Sequence, residues 1–323
     1  MIPFRIFDKL YFDTQSSQFL IEPPLHKAQQ IDGCTLFLLE PKRTSYFLTH
    51  FFHLLEHIVG HWAFYGDSHS ENVRFIILSN DVPWQGPNDI NKHLLQALFP
   101  KAAVKTWIQL RQSFPDPILC FEKALTSDRT PTFLLKECKK INKMLGLARH
   151  SISKDSLDRL ADRVHTYAAT QKHPTTTLRV TYVQRPPPRT LHPTLEKQIF
   201  SSLQSVKSVS LQTVDFAKLT FQEQLQIIRN TDVLIGVHGN GLSHSLFLPR
   251  DSAVIELFPP GFHALDYRLF AEMRGLDYTA VLPDKGIIDR DEAYRLGAYG
   301  DANVGVSSLS KESILSKIKD LQK

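Results

Sequence analysis

Cysteine is scarce in this chain: Cys34, Cys120 and Cys138 are the only three among 323 residues. The number is odd and no pair has C-x-x-C spacing, so neither a disulfide framework nor a zinc knuckle is indicated. No apolar run approaches the ~18 to 20 residues that cross a bilayer, and the opening MIPFRIFDKLYFDTQ lacks the hydrophobic region of a signal peptide. No Asn is followed by x-Ser or x-Thr, so N-glycosylation acceptors are missing as well. Excess charge of one sign is also lacking. Lys and Arg at 38 against Asp and Glu at 33 leave +5, spread along the chain, and a dedicated nucleic-acid binder is more basic than that. The expectation is a chain soluble as given, with no nucleic-acid partner, and membrane-associated only through an anchor outside this sequence.

What remains is ordinary globular material, 42% hydrophobic, long enough at roughly 150 residues per domain for about two cores. From residue 177 onward the pattern is regular. LRVTYVQR, VSLQTVDF, DVLIGVHG, SAVIELFP and LDYTAVLP read as strands, while HPTLEKQIFSSLQSV, LTFQEQLQIIRN, the short GLSHSLFL and LDYRLFAEMRGL read as helices between them. Strands alternating with helices predict parallel pairing through right-handed crossovers, a doubly wound Rossmann-like domain. The first half is less clean. TLFLLE, VRFIILS and PILCFE read as strands, and residues 44–66 and NDINKHLLQALFP as helices. The fold class expected is α/β with two Rossmann-like domains, the second a mostly parallel sheet. The boundaries fall at 1–172, 173–290 and a helical tail over 291–323, with the polar QKHPTTT marking the first.

Asp232 to Leu248, DVLIGVHGNGLSHSLFL, is the segment richest in chemistry. An apolar strand runs straight into His238, Gly239, Asn240 and Gly241 and then into a helix. Two glycines let backbone N–H groups approach phosphate oxygens, and a helix N-terminus adds favourable dipole charge. A plain tight turn with no ligand explains the same residues equally well. Glu256 ends the next strand, where a carboxylate can accept from two ribose hydroxyls or simply face solvent. Arg185 and Arg189 follow another strand end across three prolines, and guanidinium groups suit a diphosphate. The three strand ends would converge on one edge of the sheet.

A second segment, HFFHLLEHIVGHW, spells H-x-x-E-H with His53, Glu56 and His57. In that pattern two His hold zinc and the Glu acts as general base. The alternative is a helix whose histidines line a partly buried face, with Phe51, Phe52, Leu54, Leu55, Ile58 and Trp62 in the core. His238 and His244 lack a further ligand at metal spacing, and Ser243 lacks the G-x-S-x-G elbow of a hydrolase nucleophile.

The stretch QEQLQIIRNTDVLIGVHGNGLSHSLFLPRDSAVIELFP closely resembles the signature of glycosyltransferase family 61. Thr231, Asp232, Gly236, His238, Gly239, Gly241, His244, Pro249 and Glu256 match. Arg185 and Arg189 look like that family's strand-end arginine pair, and FFHLLEHIVG like its N-terminal aromatic-His-x-x-acid helix. The chain departs from the family pattern at Asn240, where Ala is usual, at Ser243, where Thr is usual, in the triple proline, and in having no Asn after Arg189.

The resemblance implies an inverting transferase of the two-domain GT-B type. A UDP-sugar, with GlcNAc or xylose, would bind the C-terminal domain, and a glycan, glycoprotein or polysaccharide acceptor would enter from the N-terminal one. It implies Golgi or endoplasmic reticulum lumen as the location. Arg185, Arg189 and the amides of Gly239, Asn240 and Gly241 would then take the diphosphate, with no metal and no cofactor required. Glu256 would hold the ribose, His238 would contact the donor or orient the loop, and Glu56 or His53 would be the base. A zinc peptidase and a non-catalytic nucleotide-sugar or glycan-binding relative are the alternatives.

Overall fold

The structure, a computed structural model, describes residues 4–13, 18–20, 22–24, 27–38, 50, 51, 53–55, 58, 59, 62, 67–78, 89–127, 154–187, 190–260, 264, 266–283 and 311–322. The chain divides into two compact units, Met1–Arg163 and Val164–Lys323. It is a mixed α/β protein whose two sheets are both mostly parallel.

The first unit's sheet has seven strands: β1 (Phe4–Phe7), β2 (Leu10–Asp13), β3 (Gln18–Leu20), β4 (Gln29–Leu38), β5 (Val73–Leu78), β6 (Ala103–Thr106) and β7 (Ile118–Ser127). Its body is the parallel run β7-β4-β5-β6, which contains the three strands read from the sequence. The antiparallel margin is new: β1 and β2 both pair with β7, and β3 with β2. On one face Leu10, Phe12, Phe37, Phe75 and Phe121 form a cluster, closed by Trp107 stacked on Phe12 at 4.2 Å. Trp107 opens the helix Trp107–Ser113, whose start is set by a capping box between Thr106 and Gln109.

In the segment holding His53, residues Phe51, Leu54, Leu55, Ile58, Val59 and Trp62 are all buried. Their spacing of three and four is one face of a helix, and the described residues there are helical. Trp62 donates its indole N–H to the carbonyl of Ser156 at 3.0 Å. Phe52, Glu56 and His57 lie outside the described residues.

The second unit holds β8 (Leu178–Val183), β9 (Val209–Val214), β10 (Val233–Val237), β11 (Ala253–Leu257) and β12 (Asp277–Val281), ordered β12-β11-β10-β8-β9. Every pairing is parallel. β10 and β11 are buried along their whole length, which is why they read as unbroken apolar runs rather than alternating ones. Val180, Tyr182, Ile235 and Ile255 line one face with Ile199 and Leu203 of the helix Pro193–Gln204 and with Ile314 and Ile318 of the helix Lys311–Asp320. The C-terminal helix is therefore part of this unit's core.

From β8 the chain moves to one side to make β9, then crosses back to β10 on the other. That reversal between β8 and β10 is the topological switch point of a doubly wound sheet, where the crevice at the carboxyl edge takes ligands.

Asp232, part of the signature, lies at the opposite, amino edge. Its carboxylate receives the Arg179 backbone N–H at 2.9 Å, Nε at 3.1 Å and Nη2 at 3.0 Å. Thr231 Oγ1 meets Thr181 Oγ1 at 2.7 Å. These residues hold β8 to β10 and are remote from the crevice. Asp232→Asn keeps one acceptor and loses the charge, so it is expected to cost about 1 to 2 kcal/mol in urea unfolding. It is expected to leave nucleotide affinity unchanged.

Candidate functional site

The carboxyl ends of β8, β10 and β11 bring Arg185, His238, Gly239, Asn240, Gly241 and Glu256 together. Past β10 the chain enters a 3-10 helix, Asn240–Phe247, where the sequence pattern reads as a short helix. Gly239 has φ +154°. A Cβ there would lie 1.6 Å from Nη1 and 2.3 Å from Cζ of Arg185. The guanidinium crosses directly above this glycine, and Nη1 donates to the carbonyl of His238. A Cβ on Gly241 would lie 2.5 Å from Cγ1 of Val183. Both glycines thus let parts of β8 and its extension close onto the loop, which sets Arg185 at the switch point.

His238 is held from several sides. Its N–H donates to the carbonyl of Leu257 at 2.9 Å, its own carbonyl takes Arg185, and its ring lies 5.7 Å from that of Phe258 at an interplanar angle of 22°. The ring of Tyr267 is 5.1 Å away. Nδ1 is 2.5 Å from Oε1 of Glu256, and Tyr278 donates its hydroxyl to Oε2 at 2.6 Å. With the carboxylate ionised it can only accept, and the proton between the two is then assigned to Nδ1.

Glu256 is completely buried, with Oε1 at His238 and Oε2 accepting from Tyr278. Burial, and then the Glu256 charge, push the Tyr278 phenol far up. Burial does the same to Tyr267. Both remain neutral hydroxyls at any working pH.

Asn240 and Ser243, two of the positions that differ from the family's usual residues, face each other. Ser243 Oγ donates to Asn240 Oδ1 at 3.3 Å. His244 is structural. It is buried, stacks on Phe216 at 4.1 Å, and places Nε2 2.8 Å from Oε1 of Gln224. His165 and Arg274 bind the carbonyls of Phe247 and Leu248 at 2.7 and 2.8 Å and so pin the far end of the 3-10 helix.

His53 belongs to the first unit, half-buried, with its ring 4.9 Å from that of His50. Arg189 and Glu56 lie outside the described residues. So does His57, and with it the H-x-x-E-H reading. Among the described residues no group of three potential metal ligands converges, and no helix is long and apolar enough to cross a membrane.

Sequence reasoning missed Tyr278 and Tyr267. Each follows the signature by several residues, and only the parallel stacking of β12 on β11 brings the former beside Glu256.

Fold and site together define a doubly wound α/β protein with a cation and a glycine loop at its switch-point crevice. The chain belongs to the glycosyltransferase 61 family, a family of transferase enzymes, whose model matches residues 51–255. It is 35% identical over 136 residues to the EGF domain-specific O-linked N-acetylglucosamine transferase of Drosophila melanogaster, covering 41% of this chain and 25% of that one. The protein of the same name from Bos taurus is 35% identical over 101 residues, 31% of this chain and 19% of that one. The matched stretches therefore span a quarter or less of these relatives. Likeness to solved structures is slight. A glycotransferase of kitacinnamycin matches at TM-score 0.25 and 12% identity over 90% of this chain and 94% of that one.

Proposed function

We propose that this protein is an inverting glycosyltransferase that moves a sugar from a UDP-sugar to a hydroxyl of a protein, a protein-linked glycan or a polysaccharide. The observation that carries the reading is the Arg185 guanidinium, seated over Gly239 at the switch point beside His238 and the start of the 3-10 helix. A departing diphosphate needs fixed positive charge and N–H donors, and those groups supply both without a metal. Arg189 would add a second guanidinium. GlcNAc is the sugar named for the relatives, and xylose is the alternative.

In the transfer the acceptor oxygen attacks the anomeric carbon from the face opposite UDP. Its proton passes to a base, and the bond from that carbon to the diphosphate oxygen breaks. His53 or Glu56 of the first unit is the base in this reading, in which the two units form the GT-B arrangement. The lumen of the Golgi or endoplasmic reticulum is the compartment that goes with it.

Thermal unfolding with UDP, UDP-GlcNAc, UDP-xylose and GDP, each with and without EDTA, tests the reading. A ligand at 100 times its dissociation constant adds about 2.7 kcal/mol, a shift of a few degrees for a chain of this size. The expected result is stabilisation by the uridine compounds that EDTA does not alter. Stabilisation by none of them, with EDTA lowering the melting temperature, would move the zinc reading of His53 and His57 to the front.

A further inference from the structure

His238 is over-determined. Its backbone N–H, its carbonyl and its Nδ1 are bound respectively by Leu257 at the end of β11, by Arg185 beyond β8, and by Glu256 within β11. Two aromatic rings confine the imidazole. Glu256 is in turn fixed by Tyr278 from β12. So much constraint on one side chain at a switch-point crevice is preorganisation, the condition under which a hydrogen-bond donor stabilises developing charge without reorganising.

We propose that Glu256 and Tyr278 are positioning residues that hold His238 as an imidazolium, with Nε2–H directed to the diphosphate of the donor. This rests on the transferase reading above. A buried carboxylate needs a compensating cation. The imidazole at 2.5 Å is the group that can become one, and the pair stays neutral overall wherever the proton sits. The hydroxyl of Tyr278 donates to Glu256, which favours the ionised carboxylate. A bound diphosphate draws the proton toward His238 further.

Among the described residues the other ionisable groups around the pair are Arg185 beyond β8, Asp266, Tyr267 and Arg268 on the helix Asp266–Arg274, and Tyr278 on β12. Histidine is the residue type among them that ordinarily titrates between pH 6 and 8.

The test is the affinity for UDP-GlcNAc, or for UDP-xylose if that binds the wild type more tightly, measured by calorimetry at pH 6, 7 and 8. The diphosphate of a UDP-sugar has no proton to lose in this range, so any pH dependence belongs to the protein. Wild type is expected to bind evenly across it. Glu256→Gln, which keeps the shape and removes the charge, takes away the group that holds the proton on His238 and is expected to lose about tenfold in affinity between pH 6 and 8.

Tyr278→Phe is expected to show the same loss with a smaller amplitude. It decides the matter alone if Glu256→Gln does not fold, since removing one hydroxyl leaves the strand's packing intact. Folded variants with a flat, wild-type profile would overturn the positioning role while leaving the transferase reading in place. A wild type that binds no UDP-sugar at any pH would overturn the transferase reading itself, and this inference with it.

Discussion

Replacing Gly239 by alanine is expected to remove most of the affinity for UDP while leaving the protein folded. The new Cβ would occupy the position of Arg185 Nη1, 1.6 Å away, and would crowd Cζ at 2.3 Å. The backbone there, at φ +154°, already disfavours any side chain. What yields is the far end of a long flexible side chain. The guanidinium must swing off the loop and lose its bond to the carbonyl of His238, while the core beneath is untouched. Losing one hydrogen bond to a charged group costs about 1.5 to 3 kcal/mol, roughly 10- to 150-fold in dissociation constant.

Arg185→Ala is expected to show a similar loss, and the double variant no more than either single one, because both changes remove the same contact. Calorimetric titration of the three variants with UDP measures this. If Gly239→Ala binds UDP as tightly as wild type, the guanidinium above the loop is not what holds the diphosphate.

The second sheet was legible because each of its strands is either an apolar run or a clear alternation, and each crossover has the 3.6-residue period of a helix. The four short strands of the first unit, β1, β2, β3 and β6, were not. At three or four residues each, they give period-two alternation too little length to stand out. The eight residues Asn240–Phe247 likewise cannot distinguish three residues per turn from 3.6 by pattern.

Arg185 and the glycine loop were legible as neighbours because strand ends of a parallel sheet share one edge. The fate of Glu256 was not. A carboxylate at the end of a strand reads as a group reaching out of the sheet, and nothing in the local sequence says that His238 and Tyr278 close over it. Those partners, one just past β10 and one on β12, are 18 and 22 residues away, so only the order of β10, β11 and β12 in the sheet reveals them. Asp232 carries the complementary lesson. It sits within the most family-specific stretch of the chain, yet its carboxylate goes to holding Arg179.

Acidification is expected to weaken the fold through His244. Two acceptors face its ring nitrogens: the carbonyl of Gly241, 3.0 Å from Nδ1, and Oε1 of Gln224, 2.8 Å from Nε2. The Gln224 amide cannot turn round, because its nitrogen donates to the carbonyls of Phe216 and Leu219, both at 2.9 Å. Two acceptors suit an imidazolium, but complete burial opposes the charge more strongly. The pKa is lowered from 6.5 to about 4 by that burial, with the Gly241 carbonyl pulling the other way.

Between pH 4 and 6.5 the unfolded chain therefore holds a proton at this residue that the folded chain does not. Stability rises with pH across that window and is lost as pH falls through it, by about 3 kcal/mol from this residue. Urea unfolding of wild type and His244→Gln at pH 4, 5, 6 and 7 isolates the contribution from the other titrating groups. Wild type should lose about 3 kcal/mol more than the variant between pH 7 and 4. Parallel profiles would mean that the two acceptors offset burial and that His244 titrates alike in the folded and the unfolded chain.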